Sequence, residues 1–311
     1  SSDCKSALTG KGLISLDHSL ILRNKGINED TMKYSYDLQD GELARAAFYT
    51  GFTMDEYNMI WNTWKTLQLE PRVYKEPQKT DLMPAKGLKA IITASGPSLD
   101  KSIDALKSLQ ESHIIIAAAS SYGTLVKNGI NVDILCLLER GEFMIEQFNS
   151  VASIYNGKET YLLASTTTPA GLFESFKEPM VYFRSVLNPT GLFAEGVSNI
   201  LKSEGPQTVN AAVSFAVSSG FDSIALIGVD LGTSNLEEKR SKDAIGETPR
   251  DFGIKVKGNL KQNAYTTELL IDGQRILEEC VRSVSEKINL FNLSDGIYIK
   301  GFQPKSIDDY I

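Results

Sequence analysis

The residues best suited to chemistry gather where an apolar run stops. Ile91-Ile92-Thr93-Ala94 gives way to Ser95-Gly96-Pro97-Ser98-Leu99-Asp100, and a helical pattern follows at once. A strand, a tight turn and a helix start in that order present unpaired backbone N–H groups at the positive end of a helix dipole, where phosphate binds readily. Gly96, Pro97, Ser98 and Leu99 are therefore candidate nucleotide-binding residues, although Ser98 is also a good helix cap. The run lacks the second and third glycines of a dinucleotide fingerprint, and no Gly-Lys-Ser/Thr follows, which disfavours a nicotinamide dehydrogenase or a standard P-loop ATPase. Other polar residues follow apolar runs: Ser120 and Ser121, Glu139 with Arg140, Thr166, and Asp230. The hydroxyls suit phosphates or sugars. Glu139 and Asp230 are candidate catalytic carboxylates, because partial burial raises a carboxyl towards the pKa of a working base. The alternatives are a turn cap for Asp230 and an ion pair with Arg140 for Glu139. Asn210 opens a helical pattern and is a candidate for bonding a base or ribose.

These residues must be held by elements that bring them together. From about residue 88, β-branched runs alternate with helical patterns: strands 88–94, 113–119, 132–138 and 159–164, with helices 99–109, 121–128 and 142–150 between them. Met180 to Arg184, a helix from Val209 to Ser218 and a strand from Ser223 to Val229 extend the series. The pattern predicts an α/β fold with a doubly wound, mostly parallel sheet, whose ligands bind outside the carboxyl ends of the strands. Every candidate loop falls on that edge. Gly232 to Asn263 is polar and carries Arg240 among several cations, which reads as a solvated loop or as a lid that offsets the charge of an anionic leaving group. A helix from Thr266 to Glu286 and a strand from Ile288 to Asn292 follow. Residues 1–85 read as a small helical appendage and linker, with two helices in Gly41 to Leu67 broken near Gly51 and the aromatic stripe of Tyr57, Trp61 and Trp64 turned to a core. Residues 86–311 read as the nucleotide-binding α/β domain.

The chain of 311 residues is 42% hydrophobic and 23% charged, the balance of an ordinary globular protein. Its formal charge of −7 argues against general DNA or RNA binding, which rests on neutralising phosphates. No apolar run is long enough for a membrane span. Cys4, Cys136 and Cys280 suggest neither a disulfide framework nor a zinc site. No metal site is expected, a reducing cytoplasm fits, and no secretion signal is visible. His113 opens an apolar strand and reads as structural, and His18 falls in the unassigned start of the chain.

Several segments resemble one family in order. They are Ala94-Ser95-Gly96-Pro97-Ser98-Leu99-Asp100-Lys101, Gly129-Ile130-Asn131-Val132-Asp133 with Leu138-Glu139-Arg140, and Val209-Asn210-Ala211-Ala212 leading to Ile227-Gly228-Val229-Asp230-Leu231. Together with Val256-Lys257-Gly258-Asn259 and Phe291-Asn292-Leu293-Ser294-Asp295-Gly296, they are similar to the motility accessory factor (Maf) domain. The resemblance implies a sialyltransferase-like, Rossmann-like fold and a glycosyltransferase using a CMP-activated nonulosonic acid as donor, for flagellin or surface glycosylation. The same broad family includes 6-hydroxymethyl-dihydropterin diphosphokinases, which would use ATP with Mg²⁺. A third reading is a nucleotide-sugar-binding protein without turnover. Maf-like sequences carry a His in a short His-Ala-x-Gly-like run after the Asp-Leu element. Here that run is Lys242-Asp243-Ala244-Ile245-Gly246, so Asp243 is the candidate to take its place.

Overall fold

The computed structural model describes residues 53–77, 84–185, 189–246 and 251–311. The expected helix before Gly51, Cys4 and His18 lie outside them. The chain enters through helix α1 (Thr53–Leu67) and a short strand β1 (Arg72–Val73). The βα series follows: β2 (Lys89–Thr93), α2 (Ser98–Lys101), α3 (Ile103–Leu109), β3 (Ile114–Ala118), α4 (Ser121–Lys127), β4 (Ile134–Leu137), α5 (Glu142–Ile154) and β5 (Tyr161–Ser165). Then come β6 (Lys177–Arg184), β7 (Ile200–Leu201), α6 (Thr208–Ser219), β8 (Ser223–Ile227), a hairpin of β9 (Ile254–Lys257) and β10 (Asn263–Thr266), α7 (Glu268–Arg282), β11 (Asn289–Asn292), β12 (Gln303–Pro304) and α8 (Ile307–Tyr310).

Among the described residues, ten strands form one sheet in the order β1-β6-β5-β4-β3-β2-β8-β11-β12, with β7 beside β6. All of its pairings are parallel. The apolar runs explain this, because a strand covered on both faces needs no polar alternation. Ile91 and Ile92 of β2 point to opposite faces, as do Ile115 and Ile116 of β3. On one face Ile92 and Ile116 pack in a core with Ala212, Val213 and Ala216 of α6 and Leu270, Leu277 and Val281 of α7. On the other, Ile91 and Ile115 share a core with Leu106 of α3, Leu125 of α4 and Phe148 of α5. Each fully buried side chain of this size contributes on the order of 2 kcal/mol.

Three elements depart from the sequence pattern. The helix expected over 99–109 is two pieces, broken at Ser102, whose hydroxyl turns back to the Ser98 carbonyl at 3.1 Å. The aromatic stripe of α1 is not core among the described residues: Tyr57, Trp61 and Trp64 are 59%, 42% and 51% exposed, while Asn62, Thr63 and Thr66 are buried. The reason is what α1 meets, which is not an apolar sheet face but polar loops. Finally, the segment after Asp230 is anchored in its described residues, although 235–239 and 242–243 are exposed. Thr233, Ser241, Ile245 and Phe252 are buried, and its later part forms the β9–β10 hairpin.

Candidate functional site

The strand order reverses between β2 and β8. After β2 the chain steps towards β3, and after β8 towards β11, which makes the carboxyl ends of these neighbours the topological switch point where open α/β sheets bind ligands. The two loops there are joined closely. Gly96 N–H donates to the Gly228 carbonyl at 2.8 Å, and Ser98 N–H donates to Asp230 Oδ2 at 2.9 Å. A Cβ on Gly96 would lie 2.1 Å from Asp230 Oδ2 and 2.6 Å from Gly228 O, so only glycine fits. Gly228, at φ +67°, turns the chain after β8, where a Cβ would meet Ala94 O at 2.3 Å.

The amide at the start of α2 is therefore engaged by a carboxylate of the protein. Asp230 is 1% exposed, and its Oδ1 is buried with no hydrogen-bond partner. Burial pushes its carboxyl up to about 6, against the opposing pull of the Ser98 amide. Glu139 is half-buried after β4, and burial raises its carboxyl too, while Arg140, Arg184 and Arg240 pull it down.

A cleft of about 340 Å³ opens over this edge. Its polar lining includes Ser95, Gly96, Ser120, Glu139, Asp230 and Thr208, its cations are Arg140, Lys239 and Arg240, and Leu138, Met144, Phe252 and Leu269 give it an apolar side. Ser120 Oγ donates to Ser95 Oγ at 2.8 Å across two loops. The segment after Asp230 is strapped over the edge by main-chain bonds from Ser241 N to Ser95 O and from Ile245 N to Ser120 O, both at 3.0 Å. Asp100 accepts from Lys242 N with both oxygens, at 3.1 and 3.0 Å. Within the strap, Arg240 Nη2 donates to Ile245 O at 2.7 Å. That bond aims a long cation before any ligand arrives.

Of the sequence-predicted residues, the cleft brings together Gly96, Ser120, Glu139 and Asp230. The others lie outside its lining. Leu99 is fully buried in the core under the turn, beside Pro97, and Ser98 is 4% exposed. Ser121 bonds the Thr93 hydroxyl, and Asn210 bonds Gln207 N and the Gly273 carbonyl. Thr166 receives the Thr63 hydroxyl at 3.2 Å. Asp243 pairs with Lys127 at 2.8 Å and lines a separate hollow with Glu146 and Ser150. His113, at the far end of β3, is held by the Leu109 carbonyl and the Tyr310 hydroxyl.

Sequence reasoning missed Thr208, which brings the N-terminus of α6 to the cleft, and the contacts of α1. Asn62 Nδ2 donates to the carbonyls of Arg140 and Thr167 at 3.1 and 3.0 Å, and Thr66 Oγ1 donates to Thr168 O at 3.1 Å. A signal for them exists: Met59, Asn62, Thr63 and Thr66 recur at the spacing of one helix face. Among the described residues, no group of three or more His, Cys, Asp or Glu is placed to hold a metal ion, and no helix is long and apolar enough to cross a membrane. Cys136 is buried and Cys280 half-buried, both as free thiols.

A family model described as 6-hydroxymethylpterin diphosphokinase MptE-like matches residues 66–236. No curated protein matches the chain. Among solved structures, the MAf glycosyltransferase from Magnetospirillum magneticum AMB-1 superposes with a TM-score of 0.74 at 24% identity, covering 96% of this chain and 47% of that one. The chain thus spans about half the length of that protein, and at this identity the likeness is one of fold.

Proposed function

The chain belongs to the 6-hydroxymethylpterin diphosphokinase MptE-like family, and from that premise we propose that the switch-point cleft binds an activated nucleotide and transfers a group from it to a hydroxyl acceptor. The observation that carries this reading is the convergence of Arg140, Lys239 and Arg240 on the cleft that holds Glu139 and Asp230. Phosphate departure develops negative charge, and cations fixed beforehand stabilise it without reorganising. The preferred donor is a CMP-activated nonulosonic acid, and a protein acceptor such as flagellin Ser or Thr in the cytoplasm belongs to the same proposal.

In that reaction the bond from the sugar carbon to the phosphate oxygen breaks, and a bond from that carbon to the acceptor oxygen forms. Glu139 takes the acceptor proton. It is the more accessible of the two cleft carboxylates, and its raised pKa makes it a stronger base than a solvated Glu. Asp230 acts from below, holding the Gly96 turn through the Ser98 amide. Asp243, paired with Lys127 outside the cleft lining, has no part in this scheme.

The family model favours a second reading, diphosphoryl transfer from ATP to a pterin hydroxymethyl group. Asp230 lines the cleft and would be one carboxylate for a divalent cation, because Mg²⁺ takes one or two carboxylates together with substrate oxygens. The ion would supply neutralisation of phosphate charge.

Thermal stabilisation by CMP, CDP, AMP, ATP and GTP, with and without Mg²⁺, separates the readings. A nucleotide at a hundredfold excess over its dissociation constant adds about 2.7 kcal/mol. The expected result is a metal-independent shift with cytidine nucleotides. A shift only with ATP and Mg²⁺ selects the diphosphokinase, and no shift removes both.

A further inference from the structure

Helix α1 is built the opposite way round from an ordinary surface helix. It buries Asn62, Thr63 and Thr66 beside Met59 and exposes Tyr57, Trp61 and Trp64. Its polar face meets the loops after β4 and β5, and one contact reaches the cleft. Asn62, 4% exposed, uses the two hydrogens of a single amide nitrogen to hold the carbonyls of Arg140 and Thr167. Two carbonyl oxygens facing one side-chain end settle the orientation of that amide, since its oxygen there would meet only acceptors. Few side chains can do this. A hydroxyl has one hydrogen, and a lysine would bring a charge into a buried site.

We infer that Asn62 is a positioning residue for the cleft: by tying the Arg140 main chain to the β5 loop, it sets where the Arg140 guanidinium stands. The inference rests on the reading of the cleft as an anion site. Arg140 is a cation of the lining, so a shift of its carbonyl moves the guanidinium that lines the cleft. Thr63 and Thr66 bond only the β5 loop. They brace α1 without touching the β4 loop, which makes them the natural controls.

The test uses inorganic pyrophosphate, CMP and ATP with the full chain. Asn62→Leu should weaken binding about tenfold, and Asn62→Ser, which keeps one donor, by less. Thr66→Val should leave affinity unchanged while lowering thermal stability by a similar amount. In an Arg140→Gln background, Asn62→Leu should add nothing further, the signature of action through Arg140. Equal loss of affinity in Thr66→Val and Asn62→Leu, or an additive loss with Arg140→Gln, overturns the inference. Amide exchange of the ligand-free protein separates its failure from that of the anion-site reading. If no probe binds the wild type, the anion site falls, whereas faster exchange in residues 139–142 of Asn62→Leu and not of Thr66→Val still shows that Asn62 ties the loop. Unchanged exchange there rejects the tie outright.

Discussion

A methyl group on Gly96 would sit against Asp230 Oδ2 and the Gly228 carbonyl at once. The carboxylate could swing away, but the Gly228 carbonyl belongs to the turn after β8 and is held against this loop by the Gly96 N–H. Gly96→Ala should therefore cost about 3 kcal/mol of stability by chemical denaturation, and a loss below about 0.5 kcal/mol would mean that the loops are not tied as described. Asp230 makes a prediction in pH. Its folded carboxyl is raised to about 6 against an ordinary 3.8, so the folded state holds a proton that the unfolded chain gives up. That contribution to stability is fully present below about pH 4 and is lost as pH rises through 6. The stability of the wild type relative to Asp230→Asn should fall by on the order of 3 kcal/mol between these limits and then stay level. A difference that is flat across that window would show that Asp230 titrates as a solvated residue.

At the scale of elements, the described part of the strap after Asp230 is anchored to the loops it covers. Main-chain bonds to Ser95 and Ser120 and the Asp100 carboxylate on Lys242 N hold it at three places, and its cation Arg240 is braced internally. Asp100→Ala should cost no more than about 1.5 kcal/mol overall. It should nevertheless speed amide exchange around Lys242 and weaken nucleotide binding, because Arg240 then loses its fixed approach. Exchange as slow as in the wild type would show the other anchors to suffice. The helix α1 carries the same lesson: its periodicity was legible, but which face was buried depended on the loops it met.

For the molecule as a whole, the formal charge of the full chain is −7, while Arg140, Lys239 and Arg240 line the cleft. Such a protein should bind a small phosphate-bearing ligand and fail to retard a short DNA duplex at physiological salt in a mobility assay. Retardation would relocate the function to a nucleic-acid surface.

The sequence by itself determined the βα alternation and the parallel sheet, because strands buried on both faces are continuous apolar runs that can be read locally. It also located the edge where the loops gather, since ligand-facing loops follow the carboxyl ends of those runs. Only the tertiary structure decided which loop residues face the cleft and which face one another. Ser98 and Asp230 are 132 residues apart and Asn62 and Arg140 are 78 apart. Pairings at such separations leave no periodicity in the chain. The same Ser, Thr and Asn side chains that could hold a ligand could as well bind neighbouring backbone, and the choice was made by whichever partner the folded sheet brought within 3 Å or so of each.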